Sequence, residues 1–76
     1  MTKLEVETVA KEVRREDYRK VLRAMNALDR KLEAALDFGC DLDATSMMQA
    51  ACALMLEVRT MEQNIRTTNI AIREVK

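Results

Sequence analysis

From Tyr18 onward, apolar residues return at every third or fourth position: Tyr18, Val21, Leu22, Met25, Leu28, Leu32, Ala35 and Leu36. That is the repeat of a helix with one buried face, which turns about 100° per residue. A second run starts after residue 43, with Met47, Leu54, Met61 and Thr68 at one heptad position and Ala51, Val58, Ile65 and Ile72 at the other. The earlier stretch Thr2 to Arg14 sets Val6, Val9, Ala10 and Val13 on one face. That stripe is about a quarter turn out of phase with the one that begins at Tyr18, and Arg14-Arg15-Glu16-Asp17 fills the change. With no Pro or Gly there, a continuous helix is favoured over a kink.

Phe38-Gly39-Cys40-Asp41-Leu42-Asp43 is the one strong turn. Gly39 suits the left-handed residue that closes a helix, and Asp43 suits the cap of the next. Leu42 and Met47 are spaced for a hydrophobic staple, and Ser46 to Gln49 is an alternative capping box. So short a connection returns the chain antiparallel to itself. The predicted fold is all-α: a single domain over residues 1–76, with helices over 3–38 and 43–75 forming a hairpin. Folding at residues 40 and 41 sets Leu28 beside Leu54, Val21 near Met61, Tyr18 near Ile65 and Val9 near Ile72.

Ala50 to Leu56 is an unbroken apolar run, so the second helix has no polar side at that level. One neighbouring helix cannot cover it all round, and a second copy of the hairpin, completing a four-helix bundle, is the simplest cover. Met48, Ala50, Cys52, Met55 and Leu56 are the candidate self-association residues. The phase mismatch gives a second candidate surface. Val6, Val9 and Val13 cannot all share a straight seam with the stripe from Tyr18, and with Ile70 they form a patch for a protein partner. A kink near Arg15 that returned the valines to the core is the alternative. Thr67-Thr68-Asn69 brings polar groups into the seam and reads as a fraying end.

Composition narrows the chemistry. The chain has 76 residues, one Gly, no Pro, no Trp and 34% charged residues, in keeping with an all-helical protein of a size that is marginal on its own. There is no His, and Cys40 and Cys52 lack ligand spacing, so neither a metal nor a cofactor is expected. Nor is a disulfide between them expected, since Cys40 lies beside Gly39 in the turn and Cys52 about nine residues into the following helix, roughly 13 Å along its axis. No catalytic residues are assigned: base, phosphate loop and nucleophile elbow are all missing from the sequence. No apolar run approaches a membrane span, and the start at Met1 lacks a signal peptide's apolar core, so the expected location is cytoplasmic.

Formal net charge is zero, from 13 basic and 13 acidic residues, which removes the global argument for nucleic acid. Arg15, Arg19, Arg23 and Arg30 nevertheless make a basic stripe down the first helix, with Glu12 and Glu16 in reach. Dimeric hairpins can hold RNA phosphates on such a stripe, and the architecture resembles the plasmid repressor-of-primer family. That resemblance is one of architecture and carries no residue across. In length and shape the chain also resembles small hairpins that partner type III secretion needle subunits, and phage-encoded proteins that block host regulators. The expected function is a non-enzymatic protein-binding module acting as a homodimer, with an adaptor, inhibitor or co-chaperone role. An RNA- or DNA-binding dimer and a purely structural coiled coil are the alternatives.

Overall fold

Both helices begin on a side-chain cap. Thr2 Oγ1 accepts from the Glu5 backbone N–H at 3.2 Å and donates to Glu5 Oε1 at 3.1 Å, a cap that the Thr-x-x-Glu spacing encodes. Asp43 accepts from the N–H groups of Thr45 and Ser46 at 3.0 and 3.3 Å. Its carboxylate thereby satisfies two donors that the first turn leaves without partners. In this computed structural model, which describes residues 2–39 and 43–75, α1 spans Lys3–Phe38 and α2 spans Ala44–Glu74. Gly39 ends α1 with φ +63°, the left-handed conformation an L side chain would strain. Cys40, Asp41 and Leu42, and with them the expected staple from Leu42, lie outside the described residues. Ser46 sits inside α2, so the alternative capping box is not used.

The helices pack antiparallel as a hairpin. Asn64 Nδ2 donates to Asp17 Oδ2 across it at 3.0 Å, the register that folding at residues 40 and 41 requires. Nearer the turn, Lys31 Nζ donates to Ser46 Oγ at 2.6 Å. Helix α1 is continuous through Arg15 to Asp17, as the absence of Pro and Gly implies.

The seam differs from the one the heptads suggest. On α1 it runs through Val6, Ala10, Val13, Asp17, Val21, Ala24, Leu28 and Ala35, all buried or half-buried. On α2 it takes Met47, Leu54, Met61 and Thr68 as expected, flanked on one side by Ala50, Glu57, Asn64 and Ala71; of the expected companions Ala51, Ile65 and Ile72 are half-buried as well, and Val58 alone is exposed. The physical reason is size. Alanines at Ala10, Ala24, Ala50 and Ala71 let the two backbones approach, whereas the rows one residue later carry Tyr18, Leu22, Met25, Val58 and Ile65. The quarter-turn mismatch in α1 follows from this. Beyond Asp17 the helix has two apolar stripes, one facing α2 and one turned away from it. Thr68 needs no partner across the seam, because its hydroxyl donates to the carbonyls of Asn64 and Ile65 in its own helix at 2.8 and 3.1 Å.

The hairpin measures 58 × 17 × 11 Å, one helix thick. Only Ala10 (1% exposed) and Asp17 (5%) are buried among the described residues. No helix there is long and apolar enough to cross a membrane.

Candidate functional face

On both helices the residue after each seam position lies about 100° around the axis. Because the helices run in opposite directions, this same step turns toward the same side of the hairpin from each. The row following the α1 seam therefore shares a face with the row following the α2 seam. From the middle of α1 to the turn, that face carries Tyr18 (58% exposed), Leu22, Met25, Leu32 and Leu36. From α2 it carries Met48 (67% exposed), Met55 and Val58, beside half-buried Ala51 and Ile65. Asp29 and Glu62 are the charges among them.

The reverse face is built from the residue before each seam position. There α1 places Glu12, Glu16, Lys20, Arg23 and Ala27, and α2 places Gln49, Ala53, Leu56, Thr60 and Thr67. Lys20, Arg23, Ala24, Ala53 and Glu57 line a shallow groove on that side. From its middle to the turn the hairpin thus has one largely apolar and one largely polar face, the amphipathic form of half a bundle.

Of the candidate self-association residues, Met48 and Met55 lie on the apolar face. Ala50 is in the seam. Cys52, a free exposed thiol, lines a shallow depression on the outer side of α2 with Met55, Leu56 and Arg59. Of the candidate partner-binding residues, Val6 and Val13 are half-buried against α2, while Val9 and Ile70 are exposed, both on the reverse face. Arg15, Arg19, Arg23 and Arg30 follow the outer side of α1. Glu16 pairs with Arg19 at 3.7 Å and Arg23 at 4.0 Å, both exposed contacts worth little to stability.

Sequence reasoning did not separate Tyr18, Leu22, Met25, Leu32 and Leu36 from Val21, Leu28 and Ala35. The signal was present as two interleaved rows, each with helical spacing.

Asp17 is the one buried charged residue among those described, and Asn64 is its partner. Polar pairs held in a helical seam are often matched or exceeded in stability by well-packed apolar residues of similar volume. Replacing both as Asp17→Leu with Asn64→Leu is expected to stabilise the hairpin by about 1–2 kcal/mol, or several degrees in a thermal melt. A lower melting temperature would show that the polar pair supports the fold.

Comparison with protein-family models, with curated proteins and with solved structures finds no match.

Proposed function

We propose that the chain is a non-enzymatic interaction module that works as a homodimer, two hairpins closing on their apolar faces into a four-helix bundle. What carries this reading is that the exposed apolar rows of both helices share one side of a hairpin one helix thick. The surface area supports it. A compact 8.7 kDa protein exposes roughly 4,700 Å², and this chain exposes 6172 Å². The difference exceeds the ~800 Å² that each partner buries in an ordinary stable interface. The reverse and outer sides, with Val9, Leu56 and Ile70 exposed among polar groups, remain available for a foreign protein. That division suits an adaptor or inhibitor, which needs one surface to assemble and another to act.

Sedimentation equilibrium at micromolar concentration is expected to give twice the 8.7 kDa chain mass. A compact monomer over that range would end this reading. Nucleic-acid binding is the second reading, supported by the outward position of Arg15 and Arg30, which have no ion pair among the described residues. It would be recognised by affinity that falls steeply with added salt.

A further inference from the structure

The apolar face has two unlike halves, and their charges are complementary. Near the turn it carries Asp29. Toward the open end, Lys11, Arg14 and Arg15 surround a shallow depression completed by Tyr18 and Met61. None of these four charged residues has an ion pair among the described residues. Glu7 and Glu12 lie one helical turn from Lys11 and Arg15 without forming a close pair with them, and Glu62 is taken up by Arg66; the three neighbouring cations repel one another, and an anion placed among them relieves that.

We infer that the anion is Asp29 of a second copy, and that the two hairpins pack with their turns at opposite ends. This rests on the dimer reading above and adds its orientation. Pairing Arg14 with Asp29 of the other copy puts the two-fold axis midway between those positions, close to Leu22. The same register brings Tyr18 to the level of Met25 in the second copy, so an aromatic anchor sits near the centre of the interface.

Helix α2 provides an independent check. The Asp17–Asn64 bond fixes which level of α2 lies beside that axis, and it is the level of Thr60. Reversing α2 about Thr60 sets Met55 opposite Ile65 and Met48 opposite Ile72, large apolar residue against large apolar residue, while Glu62, paired with Arg66 in its own helix, comes to the level of Val58. Hairpins packed in the same direction would instead place the two Asp29 carboxylates at one level in an apolar setting and leave the cations without them.

Phe38 is exposed beside the turn and can carry a spin label as Phe38→Cys, with Cys40→Ser and Cys52→Ser removing the native thiols. At 1.5 Å per residue the opposed packing predicts a label separation of about 50 Å. Turns at the same end would be under about 25 Å apart, given helix spacings of 8–10 Å. In parallel, Asp29→Arg should raise the dimer dissociation constant roughly 10–100-fold, and adding Arg14→Asp to the same chain should restore it. A dimer with the long separation and this rescue supports the inference. A dimer with the short separation overturns the orientation while leaving the dimer reading intact, and a monomer overturns both. An Asp29→Arg dimer as tight as the parent would overturn the pairing and assign the cations to another anion.

Discussion

The double change Leu22→Glu with Met55→Glu is expected to convert the protein to monomer and to remove most of its thermal stability. Both side chains are exposed on the hairpin and both lie on the face proposed to close the bundle. Two carboxylates per chain would then have to be desolvated, without partners, for the dimer to form. The cost is several kcal/mol, so the dissociation constant should rise by roughly 100-fold or more. Stability should fall with it, because a lone hairpin of this size with so little buried surface is marginal. The same logic requires the parent protein's melting temperature to rise with concentration. The control is Ala27→Glu with Thr60→Glu, which adds the same charge to the reverse face and should leave both assembly and melting nearly unchanged. Analytical ultracentrifugation and circular dichroism measure both pairs. Equal losses from the two would mean that the apolar face has no special part in assembly.

Leu54→Asp is expected to abolish folding, whereas Arg19→Ala leaves it nearly intact. Leu54 is half-buried in the seam, between Ala50 and Met61 on the side of α2 that meets α1. A carboxylate there has no cation opposite it and disrupts the narrow contact on which both helices depend. Its cost, several kcal/mol, is comparable with the whole stability of a small domain. Arg19 only shares Glu16 with Arg23 on a solvated surface, and losing an exposed pair costs about 0–1 kcal/mol. Thermal melts of the two variants decide the matter. A Leu54→Asp chain that melted within a few degrees of the parent would show that α1 and α2 hold together by something other than this seam.

The sequence by itself determined the hairpin. Where α1 stops and α2 starts depends on Gly39 and Asp43, and backbone conformation and capping are decided within a few residues. The lengths of the helices and their antiparallel register follow from the turn, and the Asp17–Asn64 bond sits where that register puts it. The rotation of each helix about its own axis was settled only by the tertiary structure. From Tyr18 onward α1 offers two apolar stripes one residue apart, and α2 offers two companions for its Met47, Leu54, Met61 and Thr68 row. Periodicity gives both equal weight, because each has the spacing of a buried helical face. Choosing between them takes the shape of the opposite helix, which no local window contains. Small residues on both sides let α1 and α2 come together along Ala10, Ala24, Ala50 and Ala71, so Tyr18, Leu22, Met25, Met48, Met55 and Val58 are turned outward onto a common face.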